Sequence, residues 1–339
     1  MSTSPSGGTI AAPPPRTGAP MGPSDCTVEV RDLSKHFGQV QAVSQLSFTA
    51  RPGRVTGFLG PNGSGKTTTL SMLLGLTRPD SGTATIGGLP YHELPRPGLT
   101  VGSALEATFH AGHTARRHLL IQAAAIGVPD SRTDEVLSLV GLAEAANRRI
   151  GGFSLGMRQR LALAAAMLAD PQVILLDEPI NGLDPEGIRW IRGLLRQLAA
   201  AGKTVLLSSH LLSEIQQTVD DVVVIRRGRL AFAGTLHELE HRVTGETVLA
   251  DAADRDGLVA ALSRAGATLG EATSTGLRFH GLTAEAVGVA ALGAGIPLRH
   301  LSEAGGGLEQ VFLDLVDERQ PPAAPHPGTA AQHPEEGQR

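Results

Sequence analysis

The stretch Gly60-Pro61-Asn62-Gly63-Ser64-Gly65-Lys66-Thr67-Thr68 constrains this chain more than any other. It fits G-x-x-x-x-G-K-[ST] and follows an apolar run, Val55-Thr56-Gly57-Phe58-Leu59. That pattern describes a loop between a buried strand and a helix, whose backbone N–H groups cradle phosphates. Gly60, Gly63 and Gly65 let the backbone bend and approach an anion with no Cβ in the way. Lys66 is placed to reach the β- and γ-phosphates, and the Thr67 hydroxyl to ligate Mg²⁺. A helix expected from near Gly65 adds its N-terminal dipole to the same pocket. The competing explanation is a flexible turn in a chain with 42 glycines. The strand pattern before the loop and the helical run Thr69–Leu74 after it weigh against that. The loop predicts a nucleotide site.

With 339 residues, 41% of them hydrophobic, the chain can bury a substantial core and is expected to hold more than one domain. Its net charge of −4 supplies no overall electrostatic footprint for nucleic acid, so no nucleic-acid partner is expected. The single cysteine, Cys26, excludes an intramolecular disulfide and suits a reducing compartment. The Pro-, Gly- and Ser-rich start has no apolar h-region and does not read as a secretory signal. No run approaches the ~20 apolar residues of a membrane-spanning helix; Leu161–Ala169 and Val173–Leu176 read as core. Any work at a membrane is therefore expected to go through a partner.

Residues 1–25 lack periodicity and read as a disordered tail. The fold is expected to start at the alternating run Thr27–Val30, followed by two strand-like pieces around a turn at Gly38. Phe37 lies there, in a chain only 3% aromatic; it is either a core residue or, ahead of a phosphate loop, a ring that stacks on a nucleobase. Gly82–Gly87 reads as a strand, and Leu99–Leu105 as another. From Thr114 the character turns helical: Thr114 caps a helix through Ile126, stopped by Gly127 and Pro129, and Asp130 or Ser131 starts the next. Strand and helix then alternate: helix Met157–Ala169, buried strand Val173–Leu176, amphipathic helix Pro185–Ala200, buried strand Thr204–Leu207, helix Leu211–Gln217, and a hairpin of Val222–Ile225 with Leu230–Phe232. Such alternation predicts an α/β fold with a mixed, mainly parallel sheet and ligands at the carboxyl ends of its strands. Beyond Thr244, Thr247–Ala250, Leu258–Ala265, Gly276–Phe279, Ala284–Leu292 and Pro297–Leu301 suggest a small α+β accessory domain. Leu308–Val316 reads as a closing helix and residues 318–339 as a disordered tail. His326 and His333, in that tail, stand at no zinc-site spacing.

Phosphoryl transfer needs the phosphates held, Mg²⁺ bound, water oriented and charge on the γ-phosphate stabilised. Asp177, after a buried strand, can serve Mg²⁺; Glu178 beside it can orient and deprotonate water. A lone pair of carboxylates there could equally be a solvated strand end. His210, at the end of the next strand, is either an ordinary hydrogen-bonded histidine or a group reaching the γ-phosphate.

Taken in order over Thr27–His241, these motifs resemble the ATP-binding subunits of ABC transporters, within the α/β class of P-loop NTPases. The resemblance implies ATP and Mg²⁺ as ligands, an ATP-hydrolysing activity, Phe37 as the adenine-stacking ring, Asp177 for Mg²⁺, Glu178 as catalytic base, His210 as the switch histidine, and Lys66 on the phosphates. Asn181-Gly182-Leu183-Asp184 matches the loop that crosses between two subunits. Phe153–Leu161 (FSLGMRQRL) matches the ABC signature but reads Phe-Ser-Leu-Gly-Met where the family has L-S-G-G-Q. Ser154 and Gly156 are retained and, with the helix N-terminus that follows, can bind a γ-phosphate across an interface. Glu106 stands where the family usually has a glutamine touching Mg²⁺, and a carboxylate ligates Mg²⁺ as well.

Both departures, with the terminal LEQVF segment, resemble the bacitracin-resistance and antibiotic-exporter branch. The resemblance further implies an ATP-binding domain at 26–242 with a helical subdomain at about 106–168, and an accessory domain at 243–317. It implies a second copy or a partner cassette, a separately encoded integral membrane permease, and a peripheral location on the cytoplasmic membrane face. A soluble ABC-type ATPase acting on ribosomes or DNA is the competing class. Members of that kind usually carry two cassettes or a long coiled coil between loop and signature, and neither is present. A nucleotide-binding regulator without turnover is disfavoured by Glu178 and His210.

Overall fold

The computed structural model describes residues 26–105, 107–243, 247–273 and 276–303, together with Phe312 and Leu315. The two expected tails, Glu106 and most of the expected closing helix Leu308–Val316 lie outside the described residues.

In chain order the elements are β1 (Val28–Phe37), β2 (Val40–Ala50), β3 (Val55–Leu59), α1 (Lys66–Leu73), β4 (Ser81–Ile86), α2 (Pro97–Thr100), β5 (Val101–Ala104), α3 (Ala115–Ile126), α4 (Ser131–Leu139), α5 (Leu155–Ala166), β6 (Val173–Leu176), α6 (Pro185–Ala200), β7 (Thr204–Ser209), α7 (Leu212–Ile215), β8 (Asp221–Arg226), β9 (Arg229–Thr235) and α8 (Leu236–Val243). The last group is β10 (Thr247–Ala252), α9 (Arg255–Arg264), β11 (Thr268–Thr273), β12 (Gly276–His280), α10 (Ala284–Gly293) and β13 (Leu298–Glu303).

The central sheet has the order β5-β6-β7-β3-β8-β9. Its strands pair in parallel except for β9, which folds back on β8. The class is α/β with a mixed, mainly parallel sheet, as expected. Strands β3, β6 and β7 are buried on both faces, which is why they read as continuous apolar runs instead of alternating ones. A Cβ at Gly102 in β5 would run into the Ala166 carbonyl, so only glycine lets α5 lie this close to the sheet. A second, antiparallel sheet, β2-β1-β4, covers the side where Phe48 stacks on Phe58 of β3 at 5.1 Å. Its hairpin turns at Gly38, φ 58°.

Several boundaries differ from the sequence reading. The run Leu99–Leu105 is not all strand: Pro97 at the first helical position shapes a turn of helix through Thr100, and extension starts at Val101. Helix α5 starts at Leu155, not Met157, because Ser154 caps it by accepting from the Met157 N–H at 3.2 Å. The expected helix Leu211–Gln217 is one turn, Leu212–Ile215. Helix α3 is capped by Thr114 and ends at Gly127 as expected. Residues 247–303 form an antiparallel sheet of order β11-β12-β10-β13 with α9 and α10 packed on it. That is the β-α-β-β-α-β arrangement of ferredoxin-like units, one strand richer than expected: β11, which forms a hairpin with β12. Phe312 leaves this unit and is buried in the core of the central sheet.

Helices α3 and α4 and the start of α5 pack into one helical group through Leu119, Ala123, Val136, Leu137 and Leu161. On α3 the His118 ring meets Phe109 edge-on at 5.0 Å, and its Nε2 is buried with no hydrogen-bond partner among the described residues. Burial, then the neighbouring His113, push the His118 pKa below the ordinary 6.5. The unfolded chain therefore binds a proton that the folded one resists as pH falls below 6.5, and stability is lost in that direction. We predict that His118→Leu removes this component. Urea midpoints of variant and wild type should diverge on going from neutral to mildly acidic pH, with wild type falling faster; parallel profiles would exclude a neutral, half-buried His118.

Candidate functional site

The parallel register sets the site. Leu59 pairs with Ser209, and Leu176 with Leu207, so β3, β7 and β6 finish at one edge of the sheet. Their following loops meet there, at the carboxyl ends where α/β sheets bind ligands. Gly60 leaves β3 with its N–H donating to the Ser209 carbonyl at 3.3 Å. A Cβ at Gly60 would strike the Ile225 carbonyl and come within 2.6 Å of Ser64 Oγ. Gly63 and Gly65 hold left-handed backbone, φ 77° and 106°, and a Cβ at Gly65 would lie 2.5 Å from the Ala42 carbonyl. The Pro61 carbonyl accepts from the Ser64 N–H at 3.1 Å, while Asn62 and Gly63 stand exposed at the tip. Ser64 Oγ is buried with no partner among the described residues, a polar atom inside a cradle of glycines. Lys66 and Thr67 open α1, with Thr68 half-buried behind them.

Two side-chain groups converge at this loop. Thr67 Oγ1 donates to Asp177 Oδ2 at 2.5 Å. Among the described residues no cluster of three or more His, Cys, Asp or Glu could hold a metal. A divalent ion here would thus rest on two hard protein oxygens and take its other ligands elsewhere, which is how Mg²⁺ binds beside phosphates. In the second group Lys66, only 6% exposed, lies 3.4 Å from Glu178 Oε1 and donates to the Gly60 and Pro61 carbonyls at 2.7 and 3.3 Å. Glu178 Oε2 is 2.8 Å from His210 Nδ1 and 3.4 Å from Asn181 Nδ2.

Glu178 itself has φ 48°, a conformation uncommon outside glycine. Its N–H donates to Ser208 Oγ at 2.9 Å and its carbonyl accepts from Gln159 Nε2 at 3.0 Å. Ser208 Oγ also donates to Asp177 Oδ1. Ser208 and Gln159 carried no role in the sequence reading. The only hint was a serine at the strand end two residues before His210.

Phe37 is 53% exposed at the end of β1, with Lys35 Nζ 5.5 Å from its ring centre, so the core alternative falls. The hairpin it belongs to touches the loop at Gly65 through Ala42 and Val43. Ser154 and Gly156 sit at the N-terminus of α5, beside Gly182 and Leu183 and next to Leu155, which is 59% exposed. Asp184 caps α6 by accepting from the Gly187 N–H at 3.0 Å. Among the described residues no hydrogen bond joins Ser154, Gly156 or Asp184 to Gly60–Thr68. Glu106 lies outside the described residues.

The chain is similar to known proteins in sequence and fold. The family profile described as ABC transporter matches residues 43–181. The bacitracin transport ATP-binding protein BcrA of Bacillus licheniformis is 45% identical over 207 residues, covering 60% of this chain and 68% of that protein. The Nod factor export ATP-binding protein I of Rhizobium etli is 35% identical over 229 residues, covering 66% and 72%. Among solved structures, an ATP binding subunit of an ABC transporter superposes with TM-score 0.58 at 27% identity, over 63% of this chain and 92% of that one.

The loop geometry yields a graded test. Gly65→Ala adds a carbonyl clash to left-handed strain, whereas Gly63→Ala meets open space and strain alone. Left-handed backbone costs a non-glycine residue about 1–3 kcal/mol. Nucleotide affinity, measured with a fluorescent ATP analogue, should fall further for Gly65→Ala than for Gly63→Ala. Equal affinities in both variants would argue against the cradle.

Proposed function

This chain belongs to the ATP-binding subunits of ABC transporters, and from that membership we propose that it powers an exporter of antibiotics or similar compounds. It is an ATPase coupled to transport. The export reading is supported by the relatives, two of which carry names for bacitracin transport and Nod factor export. The observation that carries the enzymatic reading is the meeting of Lys66, Thr67, Asp177, Glu178 and His210 at one sheet edge.

In this reading the loop N–H groups and Lys66 hold the phosphates of ATP, and Phe37 stacks on its base. Thr67 and Asp177, with Glu106 as a further ligand, would hold Mg²⁺, which when bound would neutralise charge on the phosphate oxygens. Glu178 accepts the proton of the attacking water. His210, hydrogen-bonded to the same carboxylate, orients it and faces the γ-phosphate. Lys66 exchanges its loop carbonyls and Glu178 for phosphate oxygens, leaving Glu178 to the water. Ser154, Gly156 and Asp184 complete the site of a second cassette, a reading supported by the lack of any hydrogen bond from them to Gly60–Thr68 among the described residues. ATP then bridges two subunits and stabilises the closed pair by differential binding.

The subunit works with a membrane permease. Among the described residues no helix is long and apolar enough to cross a membrane, and we place the protein on the cytoplasmic membrane face through that permease. The ATP-binding domain is assigned to residues 26–242, with its helical subdomain at about 106–168, and the accessory domain to 243–317.

Lys66→Ala should abolish hydrolysis and weaken ATP binding, because it removes the one side-chain cation of the loop. Glu178→Gln should keep ATP binding while turnover falls about 10²–10⁴-fold, the usual contribution of general-base catalysis. With the bridge uncut, Glu178→Gln should elute as a dimer with ATP and as a monomer with ADP by size exclusion with light scattering. Adding Ser154→Arg should return it to monomer. A Glu178→Gln protein that hydrolyses ATP at the wild-type rate would end the assignment of the base. One that stays monomeric in saturating ATP would point to a different partner cassette.

A further inference from the structure

Ser208 is fully buried at the end of β7, the first polar side chain after Val205-Leu206-Leu207. Its hydroxyl has one proton to donate and lone pairs to accept with. The Glu178 main chain offers only an N–H in that direction, so Ser208 Oγ accepts from it, at 2.9 Å, and its own proton goes to Asp177 Oδ1. Both capacities are used, and the rotor is thereby fixed. The other Asp177 oxygen, Oδ2, is left facing Thr67. Glu178 leaves β6 in left-handed backbone, outside the strand ladder, and Ser208 supplies the acceptor that its N–H lacks there. One hydroxyl therefore sets which oxygen of Asp177 points at the metal-side hydroxyl and which way the Glu178 peptide faces.

We propose that Ser208 is a positioning residue for both carboxylates, holding Asp177 for the divalent ion and Glu178 for the water. The proposal rests on the ATPase reading above. Groups that orient a metal-binding carboxylate typically change metal affinity or activity about 10–100-fold when removed. Ser208 acts on the two carboxylates together, so metal affinity and turnover should fall together, while nucleotide affinity without metal should not.

The test compares Ser208→Ala, Ser208→Thr and Ser208→Val in the full chain, with Glu178→Gln alongside. Alanine and valine lack the hydroxyl; threonine keeps it and suits a strand. We expect Ser208→Ala and Ser208→Val to lower kcat about 10–100-fold with KM for ATP little changed. Mn²⁺ binding to the ADP-loaded protein, read by electron paramagnetic resonance, should weaken in parallel. Affinity for ADP in the absence of divalent ions should hold, and Ser208→Thr should restore both kcat and Mn²⁺ binding. If the buried site rejects the larger side chains, Ser208→Ala alone decides. Wild-type kcat and Mn²⁺ affinity in Ser208→Ala, with Glu178→Gln inactive, would overturn this proposal alone. A fall in metal-free ADP affinity and melting temperature in step with kcat would also overturn it, since that is loss of structure and not of positioning. Wild-type turnover in Glu178→Gln would instead remove the reading beneath it.

Discussion

Three parallel strands have to finish in one fixed register for this site to exist, β3 level with β7 and β6 two residues short of them. The register that pairs Leu59 with Ser209 and Leu176 with Leu207 brings Gly60, Ser208 and Asp177 to one edge. The side chains that then join them are short: a threonine, a serine and an aspartate, in contact at hydrogen-bond distance. A slip of one residue would displace a strand by about 3.3 Å and turn its side chains to the other face. No serine or threonine could span that. Burial of β3, β6 and β7 on both faces holds the register against such a slip, so the apolar core and the polar edge are one construction.

The polar edge stores strain at Glu178. Glu178 occupies a conformation that costs a non-glycine residue on the order of 1–3 kcal/mol and persists only where surroundings over-determine it. Here the surroundings are explicit: Ser208 on the peptide N–H, Gln159 on the carbonyl, His210, Asn181 and Lys66 on the carboxylate. Gln159 comes from α5, the helix whose first turn carries Ser154 and Gly156. A displacement of that helix would be felt at the Glu178 peptide through one hydrogen bond. The segment that opens α5 and the Glu178 peptide are thus mechanically adjacent within a chain.

The unit at residues 247–303 has a core of its own, built on Val248, Leu258, Leu262, Phe279 and Val287. Phe312, beyond it, is buried with the central-sheet residues, and the Leu315 carbonyl is 3.5 Å from the Arg226 guanidinium at the end of β8. The chain therefore leaves the first core, closes a second, and returns to the first.

What the sequence determined by itself rests on local chemistry. The glycines, Lys66 and Thr67 are a loop that reads the same in any context, and α6 was legible to the residue because Asp184 and Pro185 open it and an amphipathic run fills it. Strand β11, Thr268–Thr273, was not legible: its sequence TLGEAT has one large apolar residue and most of it is exposed, so no alternation marks it. The start of α5 was misplaced because Ser154 reads equally as loop and cap until its hydroxyl is seen on the Met157 N–H. Phe37 read as a stacking ring from its place ahead of the loop, but the core alternative fell only with the structure, since exposure is a property of the whole surface and not of a neighbourhood in sequence. Ser208 was invisible as a functional residue for the same reason. Its partners are thirty and more residues away in sequence, at |i−j| of 31 and 30, and which strand lies beside which is decided by burial of the whole sheet. Only the tertiary structure could turn a serine at a strand end into the group that meets the Asp177 carboxylate and the Glu178 peptide N–H at once.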